Sequence, residues 1–315
     1  MTVLRSGRGT GRTTLAGMTS IGLLITDPAR FPAADTLLDA MPLRAALEAR
    51  GAQVELVDWA DGDVDWAALD LVVIRSPWDY SQRPDEFDAW LRRAEQRTRI
   101  LNEPELVRWN MDKRYLTQLE AAGIPGVPTT LHDEESTLLA ELEEAADGTG
   151  RHVVLKPSVG AGARLTGLHS PDDPAVLALG RRILAERGTV MLQPEIPELS
   201  AGHEKALYLV DGRFTHAIAK GALLARGGGL RGGTYRESPQ QVEASAAEQE
   251  FAERVLAATA AVTGLPMPLY ARIDLVDTAA HGMLLLEAEL FEPLFNLQLV
   301  PEVAGVLAEA VLARA

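Results

Sequence analysis

The chain has no cysteine among its 315 residues, which excludes disulfides, thiolate nucleophiles and cysteine-ligated metal sites. No apolar run approaches the roughly 18–20 residues that a membrane-spanning helix needs. The formal charge of −15 argues against nucleic acid and anionic membranes as partners. What remains, 47% hydrophobic and 24% charged residues, is typical of a soluble globular protein, and the missing cysteine favours a reducing cytoplasm.

Lysine is scarce as well. The 30 basic residues include only four lysines, at positions 113, 156, 205 and 220. Lys156 ends a β-rich run and leads into a loop of small residues, 157–163, whose backbone N–H groups could close over phosphates beside the lysine charge. A tight turn without a ligand is the alternative interpretation. The loop is not a Walker A motif, because no helix pattern follows and the Gly-Lys-Ser/Thr order is absent.

Two strand-like segments near the C-terminus, separated by a polar turn at residues 277–282, carry an unusual set of charges. Alternate residues of a strand share a face, so Arg272 lies beside Asp274, and Glu287 beside Glu289. Folding the hairpin places Asp274 opposite the neighbourhood of Glu287. Such carboxylates repel one another unless a cation lies among them, and hard oxygen ligands suit magnesium shared with substrate phosphates. The alternative is a solvated hairpin face with incidental salt bridges.

The N-terminal part reads as a small α/β unit. Residues 1–17 predict a disordered extension, with Met18 as the natural start. Strands are then expected at 21–26, 53–59 and 71–74, with helices at 35–50 and 84–97. This alternation predicts a parallel sheet that binds ligands at the C-terminal ends of its strands.

Four residues just after the third strand are therefore candidate substrate contacts. They are Arg75, Ser76, Trp78 and Asp79. The alternative is that Trp78 and Tyr80 only fill a seam between domains.

The rest of the chain predicts further helices and strands around a glycine-rich loop. Helices are expected at 102–123, 248–263 and 301–314, a strand at 190–196, and a hairpin from 206–210 and 214–219. The glycine-rich interval 221–239 contains Arg231 and two other arginines. It predicts a mobile loop that binds anions, or else an ordinary surface loop.

Several short motifs occur in a consistent order. They are RSPWDY at 75–80, NEPELVRWNMDK at 102–113, VLKP at 154–157, QP at 193–194, DGRFTHA at 211–217, RID at 272–274 and EAELFEP at 287–293. Together they resemble the ATP-grasp superfamily of carboxylate–amine ligases over roughly residues 21–310. The resemblance is strongest to the group that contains prokaryotic glutathione synthetases and the cycloserine-pathway cyclo-ligase.

The resemblance implies an α/β (α+β composite) fold. A small N-terminal parallel α/β domain precedes a two-part ATP-grasp domain, whose antiparallel sheets clasp the nucleotide. The implied divisions are an extension at 1–17, an N-terminal domain at 18–103, linker helices and lid at 104–195, and a C-terminal part with the metal site at 196–315.

The resemblance also implies a role for individual residues. The nucleotide-binding residues are Lys113, Lys156, Ser158, Gly160, Gly162, Gln193, Glu195, Ile196 and Glu204. The magnesium ligands are Asp274, Glu287 and Glu289, and the catalytic cations are Arg272 and Lys220. Arg231 and Asn296 flank the side of the amine acceptor. The chain departs from its relatives at Glu195, where they tend to have an aromatic residue.

The implied reaction moves the γ-phosphoryl group of ATP onto a carboxylate, and an amine then displaces phosphate, within one molecule or between two. Its cofactors are ATP and Mg²⁺, with two ions and with Mn²⁺ able to substitute. The partners are a small carboxylate and a small amine, and the chain is a monomer or a homodimer. Phosphoryl transfer needs positioning and charge neutralisation rather than a covalent nucleophile, which agrees with the missing cysteine. The alternatives are a non-catalytic ATP-binding regulator and a ligase that extends protein tails.

Overall fold

The computed structural model describes residues 18–29, 34–146, 150–186, 188–233 and 238–315. The predicted extension at 1–17 and positions 234–237 of the glycine-rich loop lie outside these residues. Three sheets organise the described part of the chain. Within it, no helix combines the length and the apolar character needed to cross a membrane.

The first sheet is parallel and has the strand order β2-β1-β3-β4. Its strands are β1 (Ser20–Ile25), β2 (Gln53–Asp58), β3 (Leu71–Ser76) and β4 (Arg99–Leu101). Helices α1 (Ala40–Glu48) and α2 (Pro84–Ala94) connect them, with short 3-10 turns at Ala34–Leu37, Trp66–Ala68 and Trp78–Gln82. Strands β1 and β3 are buried along almost their whole length, as expected where both faces of a parallel sheet are covered.

The single helix predicted at 35–50 is wrong, because the chain breaks at Asp39. The buried Asp39 carboxylate accepts backbone N–H bonds from Phe295 and Leu297 and pairs with Arg75. Helix α1 starts only after it, with Pro42 in the first turn, where a proline is tolerated. These distant partners of Asp39 determine the break, and no local pattern reveals them.

The second sheet has the order β5-β8-β6-β7 and is antiparallel. Its strands are β5 (Thr130–His132), β6 (Val153–Pro157), β7 (Gly167–His169) and β8 (Val190–Pro194), with helices α5 (Glu135–Ala145) and α6 (Pro174–Ala185). The helices and the sheet share a small core that includes Leu138, Leu155 and Ile183. A Cβ atom on Gly180 of α6 would lie 2.3 Å from the Leu138 side chain, so any other residue there would force Leu138 of α5 to shift.

The helix predicted at 102–123 is also interrupted. It forms α3 (Pro104–Met111) and α4 (Tyr115–Ala121), with Asp112 in an extended conformation between them. The break lets the Lys113 backbone N–H donate to Ser158 O, 2.8 Å away beside the end of β6. It therefore brings Lys113 to the small-residue loop.

The third sheet is antiparallel, with the order β11-β10-β9-β12-β13. Its strands are β9 (Lys205–Val210), β10 (Arg213–Ala219), β11 (Gln240–Val242), β12 (Tyr270–Thr278) and β13 (Gly282–Glu289). The one-turn helix α7 (Pro197–Ser200) precedes the sheet, and α8 (Ala246–Thr263) packs on it. Strands β12 and β13 extend further than predicted, which shortens their connecting turn to residues 279–281.

The last helix, α9 (Val303–Leu312), returns to the first sheet. It packs against α1, and both helices join a core to which the third sheet contributes Tyr208 and Tyr270. The first and third sheets are therefore held together by one continuous apolar core.

The buried His216 should make this core sensitive to acid. Its ring stacks on Tyr208 with centroids 4.2 Å apart, and its Nε2 lies 2.9 Å from Phe295 O. Burial lowers the pKa of His216 to about 4, so the unfolded chain takes up a proton before the folded one does. The associated stability is complete above about pH 6.5 and decreases by up to about 3 kcal/mol as the pH falls towards 4. We expect urea unfolding of His216→Gln to show a smaller pH dependence than wild type, while His203→Gln on the surface retains the full dependence.

Candidate active site

A cavity lies between the second and third sheets, and most of the predicted nucleotide and metal residues line it. These are Lys113, Lys156, Gly160, Gly162, Gln193, Glu195, Ile196, Glu204, Lys220, Arg272, Asp274, Glu287 and Glu289. Ser158 is buried at the end of β6, where its carbonyl accepts the Lys113 N–H. The two antiparallel sheets thus enclose one candidate site.

Three carboxylates meet at the β12–β13 hairpin, as their spacing predicts. In the register of the hairpin, Asp274 lies directly opposite Glu287, and Arg272 lies directly opposite Glu289. One oxygen from each of Asp274, Glu287 and Glu289 lies within 4.8 Å of the others. We call these three residues the carboxylate trio. Its oxygen donors and spacing fit a hard divalent cation such as Mg²⁺.

Cations compensate every member of the carboxylate trio. Arg272 binds Asp274 through two bonds of 2.8 and 2.7 Å and also contacts Glu289. Lys113 Nζ lies 3.0 Å from Glu287 Oε1. Lys220 Nζ lies 3.1 Å from Asp274 and 3.1 Å from Glu204. The trio is therefore held together by its own basic neighbours.

These neighbours also set the ionisation of the trio. Burial alone would raise the pKa of Asp274, but Arg272 and Lys220 hold it below its usual value. Burial would likewise raise the pKa of Glu287, but Lys113 and Lys156 hold it below its usual value. Burial raises the pKa of Glu289 to about 7, since the neighbouring carboxylates offset the attraction of Arg272. Two members therefore carry full negative charge at neutral pH.

Lys156 is the third lysine that lines the cavity, besides Lys113 and Lys220. It makes no hydrogen bond or ion pair with any residue that the structure describes, although it is largely buried. Burial lowers the pKa of Lys156, and Glu287 partly offsets this effect. The loop that follows it, with Gly162 at φ +59°, lies beside Lys113, whose Nζ donates to Gly160 O at 2.7 Å. A lysine without a protein partner next to such a loop is suited to binding an anionic ligand.

The end of β8 and the residues that follow it form another wall of the cavity. Gln193 Nε2 donates to Thr129 Oγ1 at 2.7 Å. Glu195 accepts from Ser200 at 2.6 Å and from Arg226 at 3.0 Å. Burial would raise the pKa of Glu195, but these two donors lower it. Arg226 thereby ties the glycine-rich loop to this wall.

The glycine-rich loop is not a detached surface loop in its described part. Gly228 O accepts the Leu168 N–H at 2.9 Å, and Gly227 N donates to Leu168 O at 2.8 Å. Residues 221–233 therefore cover the edge of strand β7 beside the cavity.

The predicted substrate residues lie outside the cavity lining, in contacts between elements. Arg75 is only 1% exposed and binds Asp39 at 3.2 Å and Pro293 O at 2.9 Å. Its guanidinium lies 4.8 Å from the centre of the Tyr270 ring and 5.2 Å from that of Phe295. These contacts join the first and third sheets.

The other predicted substrate residues behave similarly. Ser76 bonds to Thr36 O, Trp78 to Glu292 O, Asp79 to Thr26 and Trp59, Arg231 to Leu224 O and Ser200 O, and Asn296 to the Tyr208 hydroxyl. The contacts of residues 75–79 thus favour the alternative of a filled seam between domains.

Sequence reasoning missed Glu292 as a residue of the cavity wall. It lines the cavity, is 7% exposed, and its Oε1 accepts a hydrogen bond from the Tyr80 hydroxyl. The available signal was an acid directly before Pro293 in the apolar segment that follows the carboxylate trio.

The geometry of the site can be compared with known proteins. Residues 21–102 match the family model described as the N-terminal domain of D-cycloserine synthetase DcsG. The cycloserine biosynthesis protein DcsG of Streptomyces lavendulae is 36% identical over 296 residues, which cover 92% of this chain and 97% of that protein. The chain belongs to the D-cycloserine synthetase family of ATP-grasp ligases. A crystal structure of D-cycloserine synthetase DcsG superposes with a TM-score of 0.84 at 34% identity, over 93% of this chain and 99% of that one.

More distant structures show the fold alone. D-alanine–D-alanine ligase from Bacillus anthracis has a TM-score of 0.64 at 14% identity, covering 94% of this chain and 96% of its own. The ATP-grasp ligase PsnB, complexed with minimal precursor, Mg and ADP, has a TM-score of 0.57 at 18% identity, covering 93% and 97%. Family membership makes this chain an ATP-grasp carboxylate–amine ligase. The predicted superfamily, fold class and enzyme class are confirmed.

Proposed function

We propose that this ligase activates the carboxylate of a small amino acid and closes an amide bond to a second nitrogen of the same molecule. The observation that carries the proposal is one cavity lined both by the cation-compensated carboxylate trio and by Lys156, which has no hydrogen-bond or ion-pair partner among the described residues. The similarity to D-cycloserine synthetase over nearly the whole chain supports a ring-closing reaction. D-cycloserine is itself a cyclic amide, and its ring opens at that bond to an amino acid.

The residues of the cavity have separate roles in nucleotide binding and in catalysis. Lys113, Lys156 and the loop containing Ser158, Gly160 and Gly162 bind the phosphates. Gln193, Glu195 and Ile196 line the adenine side, and Glu204 is assigned to the ribose. Arg272 and Lys220 stabilise the negative charge that develops as the acylphosphate forms and phosphate leaves.

The carboxylate trio would hold the metal. Bound there, Mg²⁺ would neutralise charge on the phosphates of ATP. The three carboxylates offer enough oxygen atoms for two ions, and Mn²⁺ prefers the same donors, so we propose two ions with Mn²⁺ as a substitute. Equilibrium dialysis with ADP present would count the ions.

Three properties of the whole chain belong to the same proposal. The cysteine-free composition supports a cytoplasmic enzyme, and the three sheets support divisions near residues 103 and 195. A homodimer, as against a monomer, would be distinguished by analytical ultracentrifugation.

The decisive experiment measures ADP release with Mg-ATP and a panel of amino acids that carry a second nitrogen, including β-aminooxy-D-alanine. Hydroxylamine is added in parallel to trap the acylphosphate. We expect ADP, a hydroxamate and, without the trap, a cyclic product detected by mass spectrometry. Release of AMP and pyrophosphate would contradict phosphorylation of the carboxylate. Binding of ATP without turnover of any amino acid in the panel would favour the alternative of a non-catalytic ATP-binding regulator.

Magnesium should bind well only together with nucleotide. When no phosphates are bound, the carboxylate trio already forms ion pairs with Arg272, Lys113 and Lys220. A phosphate chain offers these cations another partner and leaves the trio to the ion. We expect ADP to tighten Mn²⁺ binding, followed by electron paramagnetic resonance, by at least about ten-fold. Equal affinity with and without ADP would contradict this exchange of partners.

A further inference from the structure

Among the acids that line the cavity, Glu292 is distinguished by its lack of a cationic partner within the described residues. The lining acids are Glu195, Glu204, Asp274, Glu287, Glu289 and Glu292. The first five each form an ion pair with an arginine or a lysine. Within the described residues, Glu292 forms none, and only the neutral Tyr80 hydroxyl binds it.

The second carboxylate oxygen of Glu292 is not used by the contact with Tyr80. Its Oε2 atom is buried and has no hydrogen-bond partner in the described part of the chain. A buried acceptor without a partner costs roughly 1–3 kcal/mol, more when it is charged. The terminal torsion of a glutamate is broad, so a small rotation of the carboxyl turns this oxygen towards a ligand in the cavity.

Glu292 is also separate from the metal group. The carboxylate trio contains the acids whose oxygens lie within 4.8 Å of one another, and Glu292 is outside that group. It is nevertheless close enough to Glu289, Lys113 and Glu287 for their charges to act on it. A ligand group at Glu292 would therefore lie near the carboxylate trio without competing for the metal.

We propose that Glu292, held by Tyr80, binds the α-ammonium group of the amino-acid substrate. An ammonium supplies both the hydrogen-bond donors and the positive charge that this carboxylate lacks. The inference rests on the proposed function, because D-cycloserine retains an amino group beside its ring carbonyl. Ring closure does not consume that group, so it stays available for a contact with the enzyme.

The electrostatics of the site agree with this assignment. Burial and the charge of Glu289 raise the pKa of Glu292 well above its usual value. An ammonium beside the carboxyl would favour its ionised form and leave a buried ion pair. Tyr80 then fixes which face of the carboxyl meets the ligand, since Trp59, Phe87 and Phe291 surround this part of the wall.

The test compares two rings that differ only in the amino group. D-cycloserine and isoxazolidin-3-one, which lacks that group, are titrated calorimetrically into the protein saturated with Mg-ADP. Wild type should prefer D-cycloserine by about 10- to 100-fold, the range expected for a charged hydrogen bond. In Glu292→Gln that preference should fall below about three-fold, while the affinities for isoxazolidin-3-one and ADP stay unchanged.

Two further variants separate recognition from stability. Tyr80→Phe keeps the Glu292 carboxylate but removes the hydroxyl that holds it. We therefore expect a preference for D-cycloserine between those of wild type and Glu292→Gln. Glu105→Gln removes an exposed charge from α3 and should bind both rings like wild type.

An unchanged preference in Glu292→Gln would overturn the inference, and so would an equal loss of affinity for both rings, which indicates a structural role. If wild type turns over the amino-acid panel but shows no preference between the rings, only the inference fails. If wild type binds neither ring and turns over nothing, the proposed function fails and the inference with it.

Discussion

Replacing Glu287 by glutamine should abolish turnover while leaving the protein folded. Glu287 is the member of the carboxylate trio opposite Asp274, and it is the acid that pairs with Lys113. Glutamine keeps the shape of the side chain but removes one ligand charge. We expect ADP release at saturating Mg-ATP to fall by at least about a thousand-fold, a loss typical of removing a key electrostatic contact.

The stability of Glu287→Gln should change much less. Losing the ion pair with Lys113 is unfavourable, but the change also relieves repulsion between Glu287 and the other two carboxylates. We expect the free energy of unfolding to stay within about 2 kcal/mol of wild type. Asp277→Asn is the matched control, because Asp277 is an exposed acid on the same hairpin, outside the trio. Near-normal turnover in Glu287→Gln would contradict the metal assignment.

The site is readable from the sequence where its geometry is local. Strand alternation places Glu287 and Glu289 on one face and the hairpin brings Asp274 close to them, while a bulge between Asp274 and Leu275 puts Asp274 directly opposite Glu287. The same holds for the turn at Asp211 and Gly212, whose two positive φ angles suit a tight hairpin. The roles assigned to single residues came from family resemblance and stay predictions.

The features that the sequence alone does not reveal depend on contacts between distant parts of the chain. Helix α1 starts only after Asp39, because the Asp39 carboxylate binds residues 256 and 258 positions further on. Arg75 follows a strand of a parallel sheet, where ligands commonly bind, but the rings of Tyr270 and Phe295 enclose it. Glu292 escaped notice for the same reason, since its partner Tyr80 lies 212 residues earlier, in the 3-10 turn after β3.

Replacing Arg272 should affect both stability and catalysis. Its guanidinium, 7% exposed, makes two bonds to Asp274 and a further contact with Glu289. Arg272→Met would leave these carboxylates buried with one cation fewer, and breaking such a buried pair typically costs about 3–5 kcal/mol. We expect urea unfolding to show a loss of this size.

Arg272→Lys tests the catalytic part, since it keeps the charge but cannot form the same two-bond fork with Asp274. The lysine variant should be more stable than Arg272→Met, yet release ADP at least about a hundred-fold more slowly than wild type. ADP binding, measured by calorimetry at a temperature where both variants are folded, should persist in Arg272→Lys. A stable lysine variant with wild-type turnover would show that Arg272 only balances the charge of the trio, and the stabilisation of the acylphosphate would then have to come from Lys220 and the metal.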